Sequence, residues 1–454
     1  MDINTIVTNQ RTFFQSGQTQ DPAFRIAALH DLKTAIERHQ TDIEAALRAD
    51  LNKAPLETFL TETGIVMAEI NYALRHIGRW VKPRRAGTPL ALFAASTRIY
   101  REPFGVVLIM SPWNYPFQLA FDPLVGALAA GNCAVVKPGS YAPKTAEIIA
   151  TIIAECFRPE YVTCVLGGRQ ENTMLLDQHF DFIFFTGNGD VGRTILTKAA
   201  VHLTPVVLEL GGKSPCIIAA GANLRLAAKR IAFGKFVNAG QTCVAPDYVL
   251  IRPADKAEFI KNMQIAIDGF FGSDPLAYPD YPKIINAKHR ERLKGLLSGM
   301  NAVIGGTWND LQIAPTVLDG VRPEDPVMQE EIFGPILPIL TYHSTEEAIA
   351  SVKAREKPLA LYLFGGDREF KRRVISEISF GGGTFNDTLM HVASSTIGFG
   401  GVGASGMGNY HGKRSFDTFS HEKPIVTRAN WIDLDLRYHP YTERKSRTAH
   451  RFLK

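Results

Sequence analysis

Cys243 stands in Phe236-Val237-Asn238-Ala239-Gly240-Gln241-Thr242-Cys243-Val244-Ala245-Pro246, between a predicted helix over 223–238 and a strand beginning near Asp247. A cysteine on a glycine-containing loop between helix and strand is well placed to be a nucleophile. It attacks carbonyl carbon only as thiolate, with an ordinary pKa near ~8.5, so activation calls for a positive or dipolar surrounding and exclusion of water. Most cysteines in a chain of this size are small buried hydrophobes, so the weight falls on the company Cys243 keeps. Glu209-Leu210-Gly211-Gly212-Lys213 lies upstream, Pro112-Trp113-Asn114-Tyr115 further upstream, and Glu331-Ile332-Phe333-Gly334-Pro335 downstream. These stretches supply an amide donor and two carboxylates.

Together the four stretches resemble the aldehyde dehydrogenase superfamily, over roughly residues 20–423. The chain length, Leu203-Thr204-Pro205 ahead of Glu209, and Ala245-Pro246 after Cys243 are similar to the class 3 branch of fatty and aromatic aldehyde dehydrogenases. The resemblance implies oxidation of an aldehyde to a carboxylic acid with NAD or NADP. Cys243 would form a thiohemiacetal whose oxyanion accepts from the Asn114 side-chain amide and the Cys243 backbone N–H, one such donor being worth about 3 kcal/mol. Loss of hydride leaves a thioester, for whose hydrolysis Glu209 deprotonates water. The resemblance also implies that Glu331 bonds the nicotinamide ribose, that Phe333 packs on the nicotinamide end, and that Lys137 contacts the adenosine ribose. Tyr115, Thr242 and Phe399 would line an apolar tunnel for medium- or long-chain aliphatic or aromatic aldehydes, although core packing explains such residues equally well.

Gly187-Asn188-Gly189-Asp190-Val191-Gly192 matches GxGxxG, in which glycines let the backbone approach a pyrophosphate at a helix N-terminus. The bare pattern is weak in a chain with 38 glycines, and it recurs at Gly398-Gly400-Gly403 and Gly401-Gly403-Gly406. Only the first follows a strand and opens a helix, over 191–201. Thr186, Gly187, Asn188, Gly189, Val191 and Gly192 are therefore candidate cofactor contacts, and 399–408 reads as a glycine-rich loop for close backbone approach. Fingerprint spacing alone would put Glu209 on a ribose; its Leu-Glu-Leu-Gly-Gly-Lys context implies the general base. The chain departs from the family at Ser140, where NAD-dependent members often carry an acid, and Ser140 is a candidate contact that admits both cofactors. Asn188 replaces a more usual serine, and Ser394-Ser395-Thr396-Ile397-Gly398 replaces Asn-x-x-Leu-Pro at the substrate mouth.

Two layers of elements must position these groups. Apolar residues at helical spacing (Ile26, Leu29, Leu32, Ile36, then Ile43, Leu47, Leu51) predict helices covering one domain. Short apolar runs at 106–110, 133–136, 162–165 and 182–185, separated by helical stretches such as 144–157, predict buried parallel strands. A second alternation starts at 206–210 and continues through 248–251, 338–340 and 361–364. The expected fold is two doubly wound α/β domains, a Rossmann-like cofactor domain and a catalytic domain, plus a small β bridging arm. The expected boundaries are 1–82 and 104–205 for the NAD(P)-binding domain, 206–416 for the catalytic domain, and 83–103 with 417–454 for the arm and tail. In the family this arm pairs subunits, so a homodimer is expected.

At 454 residues the chain is too long for one core, and its 21% charged and 45% apolar residues are those of an ordinary globular protein. The formal charge of +5 is carried by Arg437, Arg444, Lys445, Arg447, Arg451 and Lys454 against Glu443, so no basic face for nucleic acid is indicated. Five cysteines with no CxxC pair suit a reducing compartment, and Met1-Asp2-Ile3-Asn4-Thr5 lacks the start of a secretory signal; a cytoplasmic location is expected. The longest apolar segment, 117–136, is interrupted by Asp122, Pro123 and Asn132, so no membrane span is expected. No histidine pair has metal-ligand spacing, and no metal is expected. The enzymatic alternative is an acylating relative that passes the thioester to coenzyme A, or a reductive one. A non-catalytic binding protein on the same fold would be expected to have lost Cys243, Glu209 or Asn114, and all three are present.

Overall fold

The structure, a computed structural model, describes residues 2–452; Met1, Leu453 and Lys454 of the expected domain and tail lie outside the described residues. Three sheets organise it. The first has six strands, in the order Gly406–Met407, Val206–Glu209, Phe182–Thr186, Val106–Met110, Cys133–Lys137 and Val162–Cys164. All its neighbours run parallel except Gly406–Met407. Every residue of its three central strands is buried, because helices cover both faces and leave no side of the pleat for polar residues. Helix Gln118–Ala130 is buried all round, Pro123 included, and stops at Gly131, where φ is 98°.

Helices Pro22–Arg38 and Gln40–Leu51 bury Leu29, Leu32, Ile36, Ile43, Leu47 and Leu51 as their spacing predicts. Ile26 is only half-buried, because Arg25 takes the inward position. Its guanidinium donates to Thr19 O at 2.7 Å and to Ala129 O at 3.2 Å, satisfying a carbonyl at the C-terminal end of Gln118–Ala130.

The second sheet has seven strands, in the order Ala302–Ile304, Thr316–Leu318, Ile336–Thr341, Tyr248–Ile251, Pro215–Ile218, Ala360–Phe364 and Gly382–Phe385. A third, antiparallel sheet joins Arg84–Ala86, Ala95–Pro103 and Ser420–Arg428.

One expectation fails. The strand Val206–Glu209, read above as opening the second alternation, pairs in parallel with Phe182–Thr186 in the first sheet. Helix Gly189–Ala200 is the crossover of a strand–helix–strand unit, which returns the chain beside the strand it left. The chain changes sheet only afterwards, in residues 210–214. Gly406–Met407, also expected in the second domain, pairs with Leu208 and Glu209 on the same edge. Gly406 packs so closely that a Cβ there would collide with Leu208 O, which is why this loop is rich in glycine.

Candidate active site

Helix Leu224–Phe236 starts at Asn223, whose side chain accepts from Leu226 N at 3.0 Å, and runs into the single turn Val237–Gly240. In that turn Asn238, Ala239 and Gly240 are left-handed, with φ of 51°, 51° and 72°. For Asn and Ala this costs roughly 1 kcal/mol or more each, so the surroundings must impose it. Asn238 N donates to Glu57 Oε1 at 2.9 Å, and Asn238 Nδ2 donates to Asn114 O at 2.7 Å. Gln241 Nε2 donates to Asn238 O and Lys283 O, both at 3.0 Å, while its Oε1 accepts from Ile285 N at 3.0 Å. A Cβ on Gly240 would strike Gly334 O. Beyond this strapped turn, Ala245 N bonds Thr242 O at 3.0 Å and Tyr362 OH donates to Val244 O at 2.6 Å, which leaves Cys243 half-buried between them.

Asn114 is buried and donates through Nδ2 to Gln241 O at 3.0 Å, which spends one of its two amide hydrogens and leaves the other free. The next residue, Tyr115, meets Thr242 hydroxyl to hydroxyl at 2.6 Å. Asn114, Tyr115 and Thr242 are thus brought to one wall beside Cys243.

Glu209 lies at the end of its strand, buried, and neither carboxylate oxygen has a hydrogen-bond partner among the described residues. Burial alone pushes its carboxyl well above the ordinary range. Its backbone carbonyl accepts from Gly187 N at 3.0 Å, which joins the acid directly to the first glycine of GxGxxG. The Cys243 thiol is raised to about 12, first by burial and then by the charges of Glu331 and Glu209; the backbone amides of Cys243 and Val244 pull the other way. The charges that act most on the thiol are negative, so of the positive or dipolar surrounding that activation calls for, the dipolar part is supplied by the amides of Cys243 and Val244, against two carboxylates.

Phe399 pairs with Tyr410 through backbone bonds of 2.9 and 2.8 Å, and its ring lies 5.9 Å from those of Tyr410, His411 and His391. The Tyr410 hydroxyl is raised first by burial and then by the charges of Glu209, Asp122, Cys243 and Glu69. Tyr410, His391 and His411 were not singled out from the sequence, where isolated aromatic and histidine residues carry no signal.

The residues that could hold a dinucleotide form the other side. Asn188 caps helix Gly189–Ala200 by accepting from Val191 N at 3.0 Å. Gly187 lies on the Phe185 ring where a Cβ would not fit, and Thr186 Oγ1 is buried without a partner among the described residues. Gly192 is buried, and a Cβ on it would press on Leu210. The Glu331 carboxylate lies against Gly211, where any side chain would collide with it. It is raised to about 8 by burial and Asp247, against the pull of the Gly212 N–H, Lys213 and Lys235. Phe333 is left-handed at φ 48° and meets Trp113 edge-on at 5.4 Å. Lys137 is buried and donates to Pro138 O at 2.8 Å and Gly167 O at 2.7 Å, while Ser140 is exposed three residues on. An unsatisfied hydroxyl, a capped helix start and glycines under close approach fit a dinucleotide. Among the described residues no cluster of three or more His, Cys, Asp or Glu could hold a metal ion, and no helix is long and apolar enough to cross a membrane.

Comparison with known proteins gives a consistent result. The model of the "Aldehyde dehydrogenase family" matches residues 1–425. The 4,4'-diaponeurosporen-aldehyde dehydrogenase of Staphylococcus aureus (strain NCTC 8325 / PS 47) is 47% identical over 437 residues, covering 95% of this chain and 95% of its own. The dimeric NADP-preferring aldehyde dehydrogenase of Canis lupus familiaris is 42% identical over 449 residues, covering 98% of this chain and 99% of its own. The substrate-bound structure of Staphylococcus aureus AldH superposes with a TM-score of 0.98 at 45% identity, over 100% of both chains.

Proposed function

The chain belongs to the aldehyde dehydrogenase family and is an oxidoreductase acting on aldehydes; from that premise we propose that Cys243, Asn114 and Glu209 oxidise an apolar aldehyde to its acid. The Cys243 thiol gives up its proton to solvent, the thiolate forms the new C–S bond, the carbonyl electrons move to oxygen, and the free N–H of Asn114 and the backbone N–H of Cys243 receive that oxyanion. The carbonyl re-forms as hydride leaves carbon, and the acyl group remains on sulfur. NAD or NADP, when bound, accepts the hydride. Thr186, Gly187, Asn188, Gly189, Val191 and Gly192 would hold its phosphates, Lys137 and Ser140 its adenosine ribose, and Glu331 and Phe333 its nicotinamide end. Glu209 then takes a proton from water, the new C–O bond forms, and the C–S bond breaks to release acid and thiolate.

The observation that carries this reading is Glu209: two buried carboxylate oxygens with no partner, within electrostatic reach of Cys243. A buried acid without partners is costly as a structural element but suits a base that must bond an incoming water. It also favours water over coenzyme A as the acyl acceptor.

The substrate class rests on the wall of Tyr115, Thr242 and Phe399 and on apolar side chains left in the open. Leu56, Phe59, Leu60, Phe233 and Met390 are all exposed, and they come from segments that pack around the nucleophile turn and the 386–388 loop. Medium- or long-chain aliphatic and aromatic aldehydes fit such a mouth. A homodimer built on the third sheet is supported by the uncovered Ile425 and Val426 of its strand Ser420–Arg428 and by Leu90 and Phe93 in the connection between its other two strands. Five free cysteines suit a cytoplasmic setting.

The deciding experiment measures reduced nicotinamide by absorbance across aliphatic aldehydes of increasing length and aromatic aldehydes, with NAD and with NADP. kcat/KM should rise with apolar length. A preference for short, polar aldehydes would overturn the substrate class.

A further inference from the structure

Lys53 follows helix Gln40–Leu51, and its side chain has no exposed surface at all. Its ammonium donates to Glu62 Oε1 at 2.5 Å and to the backbone carbonyl of Asn114 at 3.1 Å, and it lies 4.0 Å from the centre of the Tyr115 ring. The second oxygen of Glu62 accepts from the backbone amides of Phe117 at 3.1 Å and Gln118 at 2.9 Å. One buried ion pair therefore holds residues 114–118 from both ends.

The Asn114 carbonyl also accepts from Asn238 Nδ2 at 2.7 Å, so both of its lone pairs are occupied and the peptide plane cannot turn. With the plane fixed and one amide hydrogen committed to Gln241 O, the remaining N–H of Asn114 has a single direction. Lys53 thus reaches, through one carbonyl, both the oxyanion donor and the turn that presents Cys243.

Stability alone does not account for this pair. Two buried ions lose their hydration, and well-packed apolar residues of similar volume usually serve as well or better. What an ion pair adds is direction, since its hydrogen bonds admit one geometry where a methyl group admits many.

We propose that Lys53 is a positioning residue for aldehyde oxidation, setting the free N–H of Asn114 against the oxygen that becomes negative when Cys243 adds to the aldehyde. The inference rests on the reading of Asn114 and Cys243 given above. Nothing in the sequence flags Lys53, because lysine is the residue type least expected inside a protein.

The test compares Lys53→Met, and the isosteric pair Lys53→Met/Glu62→Gln that removes both charges, with wild type and with the same changes in an Asn114→Ala background. Three quantities are read: the single-turnover rate of nicotinamide reduction, the Kd for NAD by fluorescence quenching, and the rate at which iodoacetamide alkylates Cys243. Acting through Asn114, Lys53→Met slows the single turnover by about 10- to 100-fold, with Kd and alkylation within about twofold of wild type. In the Asn114→Ala background the same change costs less than about twofold, because the donor it positions is gone. Equal losses in both backgrounds, or a wild-type rate in either Lys53 variant, would overturn the inference. So would loss of NAD binding in both variants, which would assign Lys53 to the fold alone. A wild type that does not oxidise aldehydes, or an active Cys243→Ala, removes the parent reading; an active wild type with unaffected Lys53 variants removes only this one.

Discussion

The two sides of the reaction centre are built on opposite plans. On the nucleophile side most polar groups are bonded: Asn114, Asn238 and Gln241 bond one another and the backbone, with Asn238 Oδ1 left over among the described residues, and Glu57, Glu62 and Lys53 lock them from beneath. Glu209, by contrast, has two carboxylate oxygens and, among the described residues, no partner for either. The difference matches the chemistry proposed for each side. An oxyanion hole works by being in place before charge develops, so slack there costs rate. A base must gain and lose a proton and meet a mobile water, so a standing hydrogen bond would compete with its task.

The largest expected effect removes the reacting atom from the rigid side. Cys243→Ala should lower aldehyde oxidation by at least about 10⁴-fold while NAD still binds, whereas Cys133→Ala, Cys156→Ala, Cys164→Ala and Cys216→Ala stay active. Steady-state assays on the five variants decide it, and activity in Cys243→Ala ends the mechanism. On the unpartnered side, Glu209→Gln should lower turnover by about 10³-fold yet keep a burst of reduced nicotinamide and build up acyl-enzyme visible by intact mass. Normal turnover with weakened cofactor binding would return Glu209 to the ribose role that fingerprint spacing suggests. Asn114→Ala should cost about 10²-fold in the single turnover, with no acyl-enzyme accumulating, because it acts before hydride leaves.

Protonation sharpens the same contrast. Glu209 is raised by burial, and only its ionised form accepts a proton from water, so deacylation should accelerate as pH rises through that elevated pKa and lose this limb in Glu209→Gln. Cys243 is raised to about 12, so in cofactor-free protein its alkylation by iodoacetamide should climb about tenfold per pH unit from about pH 7 to about pH 10. A rate already flat at neutral pH would mean that the resident amides outweigh Glu331 and Glu209.

Much of this arrangement was legible in the sequence because it is local. The continuous apolar runs at 106–110 and 182–185 announce strands buried on both faces, and they occur in the first sheet as expected. The stretches around Cys243, Glu209 and Asn114, to which the proposed chemistry is assigned, each lie in a single window. What escaped is long-range. Lys53 meets Asn114 across 61 residues and Glu57 meets Asn238 across 181; no window contains these pairs. The misplacement of Val206–Glu209 has the same origin, since an apolar run shows that a strand is buried but not which neighbour it chooses. Arg25 was missed at the helical scale, because periodicity ranks side chains by polarity and cannot see a carbonyl at Ala129 waiting for a donor.

The smallest expected effect lies at the end proposed to hold the adenosine, where the comparison is between a fixed cation and an exposed hydroxyl. Lys137 is held by two carbonyls, and Ser140 stands in the open three residues later. An acid at this place would accept from both ribose hydroxyls of NAD and repel the 2′-phosphate of NADP; a serine does neither, and Lys137 offsets the phosphate's charge. The expected outcome is an enzyme that uses both cofactors. Ser140→Glu should then lower the NADP-to-NAD ratio of kcat/KM by at least about tenfold, equivalent to ~1.4 kcal/mol, with aldehyde KM unchanged. Because Ser140 is exposed and its loop is anchored by Lys137, the substitution adds charge without disturbing packing, so the change in ratio reads electrostatics alone. A wild type inactive with NADP, or a ratio that does not move in Ser140→Glu, would transfer cofactor choice to another residue at that end.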